Sequence, residues 1–455
     1  MNVAPRSITG LWVSGARFPP ASTCCSATGL ARNALQPQAS AKTSRSLWRK
    51  PRKRTQKIDA TSLLFSGLGK QKESPTRVLD LPLYLLPLAA TISILGQPVH
   101  EHHRPSWMLT LLFLGLGLSV LSTQPRISLL SLTLLLTVIA GLLYRHHSAL
   151  WPRSWWGIGT YGLGALAAAT SAAADAPLSS MASLLACTVL LPLVPFHDGH
   201  LTALTRLPGS LPSFIVVLLP VVGLHGLATA MPSVPDIVAW TISLFALVGA
   251  SYGALKALAQ SRVRLLLAYG SLSFFSILWW FAAASRTATP RSALLVGTIG
   301  LATSGLMVAW QVIRTRYGDD VDPQAISGLA TGMPQYAVLL SLLALAAMGL
   351  PPFGVFAGFM GLLLSSPFPS LAGLFVTLLA WLAASWYIMQ MVQRLLFGIR
   401  RPELRYTDLL RAELASLLIV VLVLLALGLV PTTLFASEGT LFEHLTIGDS
   451  PTWNR

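Results

Sequence analysis

Ionisable side chains standing in stretches too apolar to solvate them are the places to look for chemistry in this chain. Lys256 sits in "SYGALKALAQSRVRLLLAYGSLSF", one helical turn before Gln260. A desolvated lysine can change its protonation state within a useful range, which suits holding or relaying a proton. The plainer reading has Lys256 snorkelling to head groups while Arg262 and Arg264 meet lipid phosphate. His197, Asp198 and His200 follow in "PFHDGH". Two imidazoles three residues apart suit proton transfer or metal binding, with Asp198 orienting one ring. No third ligand stands at a convincing spacing, so no metal is assigned, and His197 is kept as a proton-path or helix-capping residue. His225 lies in "GLHGLATA" between Gly223 and Gly226. It is either a neutral histidine bonded to a carbonyl or a titrating residue beside a hydrated cavity.

The remaining reactive residues carry less. His102 and His103 beside Arg104, and His146 and His147 beside Arg145, read as membrane-exit clusters. Cys24, Cys25 and Cys187 offer no CxxC spacing, and Cys187 lies in the apolar run "SMASLLACTVLLPLV", where a small buried side chain is the expected role. Phosphate-binding glycine loops, HExxH and a nucleophile elbow are missing from any believable context. Neither a catalytic centre nor a cofactor is expected on this chain.

The elements that would position these residues are membrane helices. Of 455 residues, 53% are hydrophobic and only 11% are Asp, Glu, Lys or Arg, against about 25% charged in ordinary soluble domains. The mean hydropathy is +0.65. Apolar segments read 80–98, 105–122, 127–144, 155–172, 178–195, 211–230, 236–259, 263–285, 292–313, 335–366, 370–397 and 412–434. Each suffices to cross about 30 Å of hydrocarbon as a helix, the open-chain form that satisfies its own backbone in lipid. The fold class expected is therefore an all-α polytopic membrane protein of about 12 transmembrane helices, two of them discontinuous. One interruption is placed at Pro351 and Pro352, between Gly349 and Gly354. The other is placed at Pro220 and Gly223 in "VVLLPVVGLHG".

Charge divides the chain unevenly. Residues 1–77 carry 14 Lys or Arg against Asp59 and Glu73, whereas the other 378 residues carry 18 basic and 14 acidic groups. Residues 1–78 thus read as a basic flexible extension, either a targeting or non-mature segment or a cytosolic tail. Its run "LWRKPRKRTQK" suits anionic phospholipid, with nucleic acid a remote partner. Residues 79–434 form the membrane domain and 435–455 a short polar tail. A positive-inside assignment gathers Arg145, Arg206, Arg262, Arg264, Arg314, Arg316 and Arg394 on the cytoplasmic side if 335–366 crosses once despite "GLPPFG". The same parity puts both termini outside.

Separated pieces of the chain resemble the antiporter-like membrane subunits of respiratory complex I, membrane-bound hydrogenases and multisubunit cation/proton antiporters. "PLVPFHDGH" looks like the stretch preceding the family's first discontinuous helix. "ALAQSRVRLLLAYGSLSF" is similar to a family segment in which a polar helix end leads into Ala-Tyr-Ser-Ser, and "GLPPFGVFAGF" resembles the junction of the second discontinuous helix. The resemblance spans about 80–434 and implies a proton path of membrane glutamate and lysines. Here 105–122 and 127–144 contain no acid, Pro220 and Phe359 stand at the approximate matches of two ionisable sites, and Arg262 replaces a loop acid. Lys256 matches the region of the central lysine.

The resemblance implies a membrane subunit of a proton- or cation-coupled complex, with other membrane subunits and a peripheral redox or carbon-handling protein as partners. Its alternatives are a nonconducting anchor in such a complex or an independent secondary transporter. The expected proton-path residues are Lys256, His225 and His197. A bacterial inner membrane is the expected location, with an organellar energy-transducing membrane as the alternative.

Overall fold

The computed structural model describes residues 80–97, 103–145, 154–175, 178–317, 326–365, 370–398 and 408–429. The basic extension 1–78, the polar tail 435–455, His102, His146 and His147 lie outside the described residues. The elements are helical in order: α1 Asp80–Leu95, α2 His103–Val120, α3 Pro125–Arg145, α4 Ser154–Ala173, α5 Leu178–Leu190, α6 Asp198–Arg206, α7 Leu211–Ala230, α8 Asp236–Leu258, α9 Val263–Ser285, α10 Pro290–Tyr317, α11 Leu329–Gly332, α12 Pro334–Ala347, α13 Gly354–Ser365, α14 Leu371–Leu396 and α15 Arg411–Leu429. Among the described residues seven helices are long and apolar enough to cross a membrane, and shorter apolar helices lie between them. The protein is an all-α integral membrane protein.

Burial ranks the helices. α10 is buried along its whole membrane-length window and α9 along almost all of it, while α3, α8, α14 and α15 present broad apolar faces outward. α10 packs against α1, α7, α9, α12, α13 and α15 and forms the axis of the bundle. Hydrogen bonds show which helix ends share a side. Ser93 of α1 donates to the Ser210 carbonyl at the start of α7, at 2.9 Å. Asp408, just before α15, accepts from the Gln335 amide of α12 at 2.9 Å. Arg316 of α10 donates to Glu413 of α15. At the opposite end Arg286, with φ 59 at the C-cap of α9, reaches Val234 O and Asp236 and so ties α9 to the start of α8.

Two helical paths are interrupted. α12 ends in a Schellman turn: Gly349 has φ +71, its amide donates to Ala346 O, and the Leu350 amide donates to Leu345 O. Glycine accepts this left-handed position without a Cβ clash, and Pro351 then prevents the helix from resuming. The Met348 carbonyl receives the Trp381 indole N–H at 2.8 Å. A Cβ on Gly349 would stand 2.8 Å from that same indole nitrogen, so the position demands glycine twice over.

The first interruption lies elsewhere than at Pro220. α7 runs unbroken through Pro220 and Gly223, and the chain instead leaves the helical path over Leu191–His197, between α5 and α6. Pro192 has no N–H to offer Thr188 O, and the Leu193 amide fills that place at 3.3 Å. The Leu191 carbonyl receives the buried Trp279 indole N–H at 2.9 Å. Both interruptions are therefore capped by an indole from a neighbouring continuous helix, and each turn holds a cis peptide bond, Val194–Pro195 and Pro351–Pro352. Pro220 is accommodated because one proline removes a single helical hydrogen bond and Gly300 of α10 leaves room beside Val216 and Val217. Gly223 serves packing rather than breakage. A Cβ there would meet the Leu191 amide nitrogen at 2.9 Å and Leu190 Cβ at 3.0 Å, the close backbone approach that small residues permit between membrane helices.

Candidate functional site

The polar centre of the bundle is built around α6, the nine-residue helix that follows the first interruption. Its C-terminal carbonyl at Thr205 accepts from Arg264 Nη1 at 3.3 Å, a cation placed where the helix dipole favours one. The same guanidinium gives Nη2 to Gln311 Oε1 of α10 at 2.8 Å. Two turns further along α9, Ser271 Oγ lies 2.9 Å from His200 Nε2. α9 thus grips α6 twice on one face, since positions seven apart on a helix point the same way.

His197 is buried at the mouth of α6. Its Nδ1 is 3.2 Å from Pro195 O, and its Nε2 stands 3.9 Å from Asp198 Oδ1, an electrostatic contact rather than a hydrogen bond. Tyr252 of α8 meets the His197 ring edge-on at 5.2 Å between centroids and meets Tyr269 of α9 at 6.0 Å. Lys256 Nζ sits 5.8 Å from the centroid of the same Tyr252 ring, within cation–π range. Lys256 itself is exposed in the last turn of α8.

The structure therefore brings two of the three sequence candidates together, Lys256 and His197, through a tyrosine that sequence reasoning did not single out. It leaves His225 apart: that residue lies in the later part of α7, partly buried, on a turn whose glycines pack toward α5. Of the four break candidates, Pro351 and Pro352 stand in the turn between α12 and α13, and Pro220 and Gly223 stand inside a continuous helix. Pro192 and Pro195, three apart in "LPLVPF", were the available signal for the first interruption.

A small cavity of about 20 Å³, room for about one water, lies between α9, α10 and α14. Ser271, Thr303 of α10 and Tyr387 of α14 give it hydroxyl groups, and Gly270, Phe274 and Ile299 are among the apolar groups that line the rest. Ala347, the last residue of α12, and Val355, in the first turn of α13, also line it, so the cavity reaches the second interruption. Among the described residues His197, Asp198 and His200 gain no further His, Cys, Asp or Glu that would complete a metal set.

The buried carboxylate among the described residues is Glu413, 3% exposed. Its Oε2 accepts from Arg316 Nη2 at 2.6 Å and from the Leu410 amide at 3.0 Å. That pair is engaged at the end of the bundle and faces no cavity residue named above.

Comparison with known proteins places this geometry. The family described as NADH:quinone oxidoreductase/Mrp antiporter, transmembrane, matches residues 128–383. Subunit M of the F(420)H(2) dehydrogenase of Methanosarcina mazei is 28% identical over 251 residues, 53% of this chain and 50% of that protein. Subunit M of the Escherichia coli NADH-quinone oxidoreductase is 27% identical over 285 residues, 59% of this chain and 53% of that protein. The chain spans about half the length of these curated relatives. Among solved structures, a chain of respiratory complex I from Thermus thermophilus superposes with a TM-score of 0.60 at 21% identity, covering 79% of this chain and 86% of that one. A chain of the Mrp complex from Dietzia sp. superposes with a TM-score of 0.61 at 16% identity, covering 78% and 80%. These superpositions establish a shared fold.

Proposed function

This chain belongs to the NADH:quinone oxidoreductase/Mrp antiporter membrane family, and from that premise we propose that it is a membrane subunit of a proton- or cation-coupled multisubunit complex. It sits beside other membrane subunits and binds no cofactor itself, while a peripheral redox or carbon-handling protein performs the reaction that drives it. A bacterial inner membrane is the proposed location, in keeping with the Escherichia coli relative; an organellar energy-transducing membrane is the alternative. Anionic phospholipid meets the basic helix ends.

The observation that carries the conducting reading is the pair of capped helix interruptions with polar groups between them. Non-helical backbone at membrane depth is tolerated where protein or a hydrated cavity satisfies it, and discontinuous helices are where transporters hold ions. Lys256, Tyr252 and His197 form the surface mouth of the path, and His197 hands on to the buried part of α6. His225, lying outside this cluster, is the weakest of the proposed path residues.

The anchor reading draws on a different observation. Among the described residues the interior lacks the charged groups best placed to titrate, and Glu413 is locked by Arg316. Flux through the purified complex in liposomes separates the two, comparing intact complex, complex lacking this subunit and Lys256→Ala, with assembly verified in each. The conducting reading expects flux to require the subunit and to fall several-fold in Lys256→Ala. Unaltered flux in an intact assembly without the subunit would overturn it and leave the anchor.

A further inference from the structure

His200 is 1% exposed, and its two ring nitrogens have unlike surroundings. Nε2 lies 2.9 Å from Ser271 Oγ, and the Ser271 hydroxyl directs its own hydrogen to Ala268 O at 3.0 Å. The serine oxygen therefore accepts and the imidazole Nε2–H donates. In the neutral ring this leaves Nδ1 as a bare lone pair, buried and with no hydrogen-bond partner among the described residues. An unsatisfied buried acceptor is costly, and its persistence in a fold calls for a role or an internal water. Tyr161 Oη on α4 and Ser276 Oγ on α9 are in the same condition, and α4 and α9 both pack on α6. The Tyr161 ring lies against Gly199, the neighbour of His200.

Ser271 is also one of the residues lining the cavity shared with Thr303 and Tyr387, which reaches the second interruption. We propose that His200 and Ser271 form an uncharged proton-transfer junction joining the first helix interruption to this hydroxyl-lined cavity. The inference rests on the conducting reading above. A proton arriving from water in the interruption binds Nδ1 as Nε2 gives its proton to Ser271 Oγ, so the ring stays neutral, and the serine hydroxyl turns from Ala268 and releases its own proton to water in the cavity. One proton enters and one leaves, and the ring, now the Nδ1–H tautomer, returns to the Nε2–H form by exchange with water, Nδ1 giving a proton up and Nε2 taking one. The ionisable groups on the elements packed against α6 are Tyr161 of α4, Arg264 and Tyr269 of α9, Cys187 of α5, His225 of α7, and Arg126, Tyr144 and Arg145 of α3; His197, Asp198 and Arg206 stand on its own stretch. The junction thus carries the proton between the interruption and the cavity with hydroxyls and neutral imidazole.

Two measurements on the assembled complex test the junction. In liposomes, His200→Gln keeps a donor for Ser271 but cannot take a proton, and Ser271→Ala removes the link while keeping the ring. Each is expected to lower subunit-dependent proton flux about tenfold or more, the scale of removing a positioned proton-transfer group. Independently of transport, hydroxyl-radical footprinting of the wild-type complex reads internal water, and Tyr387 is expected to be oxidised despite its burial, with the labelling reduced in Thr303→Val. Flux that requires the subunit yet is unchanged in both intact variants overturns the junction and leaves the conducting reading standing. Flux that does not require the subunit overturns the reading itself. Where a variant fails to assemble, the wild-type footprint decides, and an unlabelled Tyr387 refutes the hydrated cavity.

Discussion

Arg316 and Glu413 show how this protein treats charge where it keeps it. The guanidinium ends α10, the carboxylate begins α15, and both side chains are nearly withdrawn from solvent, at 10% and 4% exposure. Arg316 also donates to Asp408 O at 3.1 Å, so the pair closes the end of the bundle together with the start of α12. Removing one member leaves the other buried and uncompensated, which costs about 3–5 kcal/mol, whereas replacing both by apolar residues is often neutral. Glu413→Ala is thus expected to lower the melting temperature of the purified protein strongly, and the double change Arg316→Met with Glu413→Leu to restore most of it; equal losses in the single and double variants would refute a stability role for the pair. Lys256 differs in kind. It is exposed, its nearest described partner is the face of Tyr252, and water can stand in for much of what it does. Exposure is what a sequence cannot report for a residue at a helix end, since both readings of Lys256 share one pattern.

At the scale of the element, the interruptions teach most. The turn after α12 was legible because its chemistry is local: glycine at a left-handed position, then proline. The turn after α5 was not, because Pro192 and Pro195 resemble Pro220 when read along the chain, and what distinguishes them is the neighbour. Gly300 leaves room at the Pro220 turn, and Trp279 satisfies the carbonyl freed at Leu191. Trp381→Phe keeps the ring's bulk but strips Met348 O of its donor, at a cost of about 1–3 kcal/mol. Faster amide exchange over 348–354 is expected in that variant, with the rest of the protein unchanged; unchanged exchange there would deny the indole its capping role. Pro220→Ala is expected to retain assembly and to raise the melting temperature, because an interior proline costs a helix about 3 kcal/mol. Lost flux with assembly intact would instead return Pro220 to the path. Gly223→Leu, driven against Leu190 and Leu191, is expected to separate α5 from α7 and abolish assembly, as read on a native gel.

For the whole molecule, basic residues mark one end. Arg206, Lys256, Arg262, Arg264, Arg314 and Arg316 stand at helix ends that hydrogen bonds or short connections join, while Arg286 and Asp236 stand at the other. Positive-inside bias predicts that the first end faces the cytoplasm. In a background without Cys24 and Cys25, Ser261→Cys is expected to react with an impermeant thiol reagent from the cytoplasmic face and Thr287→Cys from the opposite face; labelling of both from one face would refute the hairpin of α8 and α9. The exposed apolar faces of α3, α8 and α14 are broad enough for lipid to cover.

Composition and hydropathy by themselves determined that this protein lives in a membrane and is helical, because lipid leaves a backbone few other ways to satisfy its hydrogen bonds. Local sequence also determined the turn at Gly349–Pro352 and the ends that carry arginine. Only the tertiary structure decided which proline interrupts a helix, that Lys256 faces outward, that His225 stands apart, and that His200 and Ser271, 71 residues apart in sequence, share a hydrogen bond. The reason is physical. Helix formation in lipid is a property of a segment, but the satisfaction of a freed carbonyl or a buried imidazole depends on the atom across the interface, which is supplied by a helix remote in sequence.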